Sequence, residues 1–189
     1  MTGVGLLPTL VVVSGPGGSG KTTLAHLVAG ALGCPAVCRD EIKEGMVHAT
    51  PGFVPSPGDP LTQRTVTTFF GVIELLLRAG ATLVAEAAFQ SPLWRSGLDP
   101  LADLADIRVL RCAVSDEVAR SRMAARLADN PRRAAAHADL DALGVSSRAT
   151  VPFEHLSLAA PTLSVDTTSG YRPALETIVA FINEVPHDG

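Results

Sequence analysis

Aromatic side chains are scarce in this sequence: one Trp, one Tyr and six Phe make up 4% of 189 residues. Proteins that track single-stranded nucleic acid stack bases on aromatic platforms, so the scarcity argues against a polynucleotide substrate. No positive excess compensates. Lys and Arg number 15 against 19 Asp and Glu, a net charge of −4, the wrong sign for a general binder of phosphate backbones or anionic membrane surfaces. Cysteine is sparse as well. Cys34, Cys38 and Cys112 show no zinc spacing, and an odd count suits no disulfide framework. Reduced, partly buried thiols are the expectation. His26, His48, His155 and His187 have no partners at metal-ligand spacing along the chain and read as ordinary. No apolar run approaches the roughly 20 residues that span a bilayer. The apolar stretch from Val4 to Val13 has no basic residue ahead of it, unlike a signal peptide. These absences lead us to expect a cytoplasmic protein without membrane attachment.

What is present is concentrated in one stretch. Gly15-Pro16-Gly17-Gly18-Ser19-Gly20-Lys21-Thr22 follows the apolar run Leu10–Val13 and opens onto Thr23-Leu24-Ala25-His26-Leu27-Val28-Ala29, which has the composition of a helix. This is the complete G-x-x-x-x-G-K-[ST] pattern in its strand–loop–helix setting. Glycines let the backbone approach phosphate oxygens closely, and the free N–H groups of the loop and the helix start then face the anion. Lys21 is expected to reach the β- and γ-phosphates of ATP, and the Thr22 hydroxyl to hold Mg2+. The nucleotide-binding set is therefore Gly15, Gly17, Gly18, Ser19, Gly20, Lys21, Thr22 and Thr23.

At this length, with 47% hydrophobic and 18% charged residues, the chain reads as one domain spanning 1–189. Residues 8–14 form a strand of the kind buried on both faces of a parallel sheet. Gly33 stops the first helix. A short strand over 36–39 ends in Asp40, and 41–48 reads as a brief helix. Residues 50–60 are too rich in Pro and Gly for regular structure and are expected to form a functional loop. A helix over 61–79, a strand over 82–86, a loop over 87–94, a short helix near 99–105 and a strand over 106–114 follow. Ser115 caps a helix reaching Asp129, another runs from Pro131 to about Leu143, and strand 161–165 and helix 172–184 complete the alternation. Strands alternating with helices imply βαβ units, an α/β fold with a parallel sheet.

In such sheets ligands bind beyond the carboxyl ends of the strands. Asp40 and Glu86 both sit at strand ends. Asp40 is placed to accept a proton from an acceptor hydroxyl, or else to cap the following helix. Glu86 is placed to hold Mg2+ through water or to assist the acceptor, the alternative being a solvated strand end. Arg122 and Arg126, four apart on one helix face, suit a clamp on the transferring phosphoryl group or a solvated basic face. Ser164 to Tyr171, including Gly170, either lies beside the nucleotide base or is a plain connection. Phe53, Arg64 and the Phe69-Phe70 pair, within 45–70, are the candidate acceptor pocket.

Taken together, Gly15–Thr22, Arg39-Asp40-Glu41-Ile42, Arg122-Met123-Ala124-Ala125-Arg126 and Val165-Asp166-Thr167-Thr168 resemble the small P-loop kinases of the AAA-domain-like ATPase family that includes polynucleotide kinase. Zeta-type toxins, chloramphenicol phosphotransferase, and shikimate and gluconate kinases are similar more distantly. The resemblance implies a three-layer P-loop NTPase fold with a five-stranded parallel sheet in order 2-3-1-4-5 and helices on both faces. It further implies a lid-like segment around 116–143 and ATP-dependent phosphorylation of a hydroxyl. It matches Asp40 to the acid that activates the acceptor and Arg126 to the lid arginine on the ATP phosphates. Glu86-Ala87-Ala88-Phe89 departs from the short acceptor-contacting motif of many relatives.

No N-K-x-D or T-K-x-D guanine reader and no Leu-Ser-Gly-Gly signature is present, and Ala85 rather than an acid precedes Glu86. GTPase switches, ABC-type ATPases and ring-forming motors are thereby disfavoured. The sequence reads as an ATP- and Mg2+-dependent kinase acting on a small hydroxylated molecule such as a nucleoside, sugar or antibiotic. Lys21, Asp40, Glu86 and Arg126 are its candidate catalytic residues. A nucleotide-binding regulatory protein, or a zeta-toxin-like protein acting on an activated sugar or polynucleotide, is the other reading.

Overall fold

The computed structural model describes residues 7–56, 59–89, 92–129, 153 and 158–184. Five strands, β1 (Thr9–Ser14), β2 (Ala36–Cys38), β3 (Leu83–Glu86), β4 (Asp106–Ala113) and β5 (Thr162–Asp166), form one sheet in the order β2-β3-β1-β4-β5. Every pairing is parallel. The expected order 2-3-1-4-5 is the observed one.

β1 shows why the sheet is central. Its residues are apolar in succession, so both pleat faces are buried. Leu10 and Val12 join Phe69, Ile73, Leu77 and Phe89 on one side, while Val11 and Val13 join Leu24, Val28 and Ile178 on the other. The first face is covered by α3 (Pro60–Arg78) and α4 (Pro92–Leu98), the second by α1 (Lys21–Leu32) and α6 (Leu175–Ile182). α2 (Arg39–His48) and α5 (Asp116–Asp129) leave the carboxyl ends of β2 and β4.

Local chemistry sets the helix ends. Gly33 ends α1 in the left-handed region (φ 69°). Asp59 caps α3 by accepting from Thr62 N–H at 2.7 Å, and Pro60 occupies the first turn. Along α3, Leu61, Thr65, Phe69, Ile73 and Leu77 recur every four residues and are all buried.

Three expectations need correction. The helix expected near 99–105 lies earlier, at Pro92–Leu98, followed by a 3₁₀ turn at Asp99–Leu101. Pro92 suits a first helical turn, and Trp94 is drawn into an aromatic cluster, with ring centroids 5.0 Å from Phe89 and 5.8 Å from Phe70. Secondly, β2 stops at Cys38 and α2 starts at Arg39, so Asp40 lies in the first helical turn rather than at a strand end or cap. Thirdly, Phe69 and Phe70 do not open an acceptor pocket. Phe69 is fully buried between Phe70, Phe89 and Trp94, and a Cβ on Gly97 would stand 2.3 Å from the Phe70 ring. The helix expected from Pro131 to Leu143, and with it the later part of the lid-like segment, lies outside the described residues.

Candidate active site

The loop between β1 and α1 closes on itself through Ser19 N–H donating to Pro16 O. Two glycines in it have no substitute. A Cβ on Gly15 would stand 2.6 Å from Ser19 Oγ and 2.9 Å from Cys112 Cβ. Gly18 has φ +74°, and its Cβ would stand 2.3 Å from the Ala119 carbonyl oxygen at the start of α5. The loop is therefore wedged between β4 and α5. Gly20, also left-handed, stands at the N-terminus of α1 with no side-chain cap, leaving first-turn N–H groups facing the loop's concavity. Gly17 is exposed at the rim, beside the Met123 sulfur.

Lys21, Thr22 and Glu86 come together where β1 and β3 end side by side, Val13 opposite Glu86. Thr22 Oγ1 donates to Glu86 Oε2 at 3.2 Å. Lys21 Nζ lies 3.7 Å from Glu86 Oε1 and 3.4 Å from Pro16 O. Glu86 is 1% exposed, so the solvated strand end considered from sequence does not occur. Burial raises its pKa, Lys21 pulls it down, and the charge of Asp40 adds to the rise. Glu86 Oε1 is buried without a hydrogen-bond partner. A buried carboxylate oxygen without a hydrogen bond, beside a threonine hydroxyl, fits a hard cation or its bound water.

Asp40 stands on the α2 side of this group, half-buried and paired with Arg39 at 2.9 Å. On the opposite side, Arg122 of α5 donates to Thr167 O at 2.7 Å and Thr168 O at 3.0 Å. Thr167 Oγ1 in turn donates to Ser19 O at 2.6 Å. The connection after β5 is thus tied to the phosphate loop, and with Gly20, Thr23, Arg122, Gly170 and Tyr171 it lines a pocket of about 260 Å³. Arg126 lies on α5, but its side chain falls outside the described residues.

One buried pair was missed in sequence. Lys43 of α2, 5% exposed, donates to Asp59 Oδ2 at 3.2 Å and Thr62 Oγ1 at 2.8 Å. Phe53 lies over the same ammonium at 6.0 Å, and Arg64 is exposed on α3. Burial alone would raise the Asp59 pKa, but the bonds from Thr62 and Lys43 outweigh it and hold the carboxyl below its ordinary value. Asp59-Pro60 was a readable signal for a cap. Nothing in the spacing pointed to Lys43.

The family model for an AAA domain matches residues 10–147. Among curated proteins, none matches the chain by sequence. Solved structures do match it. A protein of Chloroflexus aurantiacus, assigned provisionally as a kinase, is 24% identical with a TM-score of 0.79, covering 96% of this chain and 100% of that one. The APS kinase of Mycobacterium tuberculosis, solved with AMPPNP and APS, is 16% identical with a TM-score of 0.65, covering 95% and 100%. A gluconokinase of Sinorhizobium meliloti 1021 is 19% identical with a TM-score of 0.53, covering 94% and 91%. Among the described residues no helix is long and apolar enough to cross a membrane.

Proposed function

The chain belongs to the AAA domain family, and from that premise we propose that it is an ATP-dependent phosphotransferase, moving the γ-phosphoryl group to a hydroxyl of a small molecule such as a nucleoside, sugar or antibiotic. The observation that carries this reading is the meeting of Lys21, Thr22 and Glu86 at the strand ends, with Glu86 Oε1 buried, beside the Lys21 ammonium and without a hydrogen bond. The kinase descriptions of the similar structures agree with it.

In this reading the N–H groups of Gly15–Thr22 and the Lys21 ammonium hold the phosphates, and Thr23 and Gly170 flank the nucleotide. Thr22 and Glu86 would hold Mg2+, whose charge neutralises the phosphate oxygens. Asp40 accepts the acceptor's hydroxyl proton as its oxygen bonds to the γ-phosphorus. The bond to the β–γ bridging oxygen breaks, and ADP leaves. Arg122, already braced on the Thr167–Thr168 backbone, and Arg126 stabilise charge on the transferring group. Positioning and electrostatics carry most of the rate.

A broad acceptor screen following ADP release tests this, with Lys21→Ala as control. We expect acceptor-dependent release that falls by at least about 10²-fold in the variant. Wild-type activity in Lys21→Ala would sink the proposal. Release without acceptor would mark a plain ATPase, and tight nucleotide binding without turnover a regulatory protein.

A further inference from the structure

Three metal-ligating side chains from separate elements meet beside β2. His26 comes from the middle of α1, Cys38 from the last residue of β2, and Glu41 from the first turn of α2. Their ligand atoms all lie within 4.8 Å of one another. His26 Nε2 is 2.7 Å from Glu41 Oε1 and 3.7 Å from Cys38 Sγ. Among the described residues this is the only group of three His, Cys, Asp or Glu side chains so arranged. From this juxtaposition we propose that His26, Cys38 and Glu41 bind a divalent transition-metal ion of the Zn2+ class, with a fourth position open to solvent.

Tetrahedral zinc holds N, O and S ligands at about 2.0–2.3 Å, which sets the ligand atoms roughly 3.3–3.6 Å apart. The Nε2 to Sγ spacing is already close to that. The Nε2 to Oε1 spacing is that of a hydrogen bond and must open by roughly 0.6 Å. Both side chains are free to do so, His26 being 51% and Glu41 46% exposed, and the ion reaches the site from solvent on their side. Cys38, 2% exposed, is the fixed anchor. Its thiol proton is released to solvent as the sulfur–metal bond forms. Imidazole, thiolate and carboxylate are each zinc ligands, and three protein ligands leave a fourth position of the tetrahedron open. The thiolate selects against Mg2+ and Ca2+, so this site is chemically distinct from the all-oxygen pair of Thr22 and Glu86.

The ion would join α1, β2 and α2 at the point where α2 begins. Asp40 lies between Cys38 and Glu41, so occupancy fixes the turn that carries it. Glu86 stands opposite Cys38 in the sheet register, which places the site against the crevice wall.

Titration of the full chain with Co2+ in excess Mg2+ tests the proposal without reference to any catalytic activity. We expect one equivalent to bind, with thiolate-to-cobalt charge transfer in the near ultraviolet, intense visible bands of a four-coordinate ion, and displacement by Zn2+. Cys38→Ser should abolish the charge-transfer band. Glu41→Gln and His26→Gln, at exposed positions that leave the core untouched, should each weaken binding by more than about tenfold. Cys34→Ser should leave the spectrum unchanged. Absence of the charge-transfer band at one equivalent overturns the site. So does its persistence at wild-type affinity in Glu41→Gln and His26→Gln, or its loss in Cys34→Ser.

Discussion

The phosphate loop and the α2 wall, where Phe53 and the start of α3 pack around Lys43, are built from different parts of the chain's chemistry. Gly15–Thr22 is contiguous, and its shape is held by backbone: two positive-φ glycines, one turn, and a wedge against Cys112 and Ala119. The α2 wall is assembled from side chains far apart in sequence. Lys43 meets Asp59 and Thr62, and Asp40 faces Glu86 across from the loop. The loop's geometry therefore survives most changes outside it. The wall depends on each charged partner, because an unpaired buried charge is strongly destabilising.

The largest expected break in that comparison is Asp40→Asn. Turnover should fall by about 10²–10⁴-fold, while ATP affinity, set by the loop, stays within a few-fold. Single-turnover kinetics beside equilibrium nucleotide binding checks it, and equal losses in both would give Asp40 a structural role instead.

Asp59→Ala should loosen the wall without touching the loop. It leaves Lys43 buried and unpaired and removes a helix cap, a loss of about 3–5 kcal/mol in urea unfolding. The acceptor KM should rise more than the ATP KM, and a reversed pattern would end the distinction between the two walls. The pair also gives a pH signature. The folded Asp59 pKa is depressed, so its stabilisation is fully present above the unfolded value of about 3.9 and is lost as pH falls through the lower folded value. Unfolding curves recorded from pH 5 downward should show the wild type losing more stability than Asp59→Asn. Parallel curves would contradict this.

The smallest effect is on the loop side. Thr167→Val removes the hydroxyl bonded to Ser19 O at 2.6 Å and should cost about 1 kcal/mol, read as a small drop in Tm with less than tenfold weaker ATP binding. A large loss of ATP affinity would show that the loop leans on its neighbours as heavily as the α2 wall does.

The parallel sheet, α1 with its glycine stop, and the phosphate loop were legible because each rests on adjacent residues: a run apolar on both faces, a glycine at a helix end, a phosphate pattern eight residues long. The strand order was legible only through the family resemblance. The misplaced α4 shows the limit. Its position depends on where Trp94 finds Phe69, Phe70 and Phe89, and those rings come from α3 and the loop after β3. The Phe69-Phe70 pair failed as a pocket for the same reason, since consecutive aromatics on an amphipathic helix fit a core or a cleft equally well until packing decides.

Sequence by itself determined a parallel α/β sheet and a phosphate loop at the end of its first strand, because backbone conformation and burial on both faces are written in consecutive residues. Only the tertiary structure decided that Glu86 is buried against Thr22 and Lys21, that Lys43 closes on Asp59, and that His26, Cys38 and Glu41 share one spot. Apart from the near neighbours Cys38 and Glu41, those meetings join residues 12 to 65 positions apart. No spacing rule encodes them, since they follow from which faces the sheet and helices bury against one another.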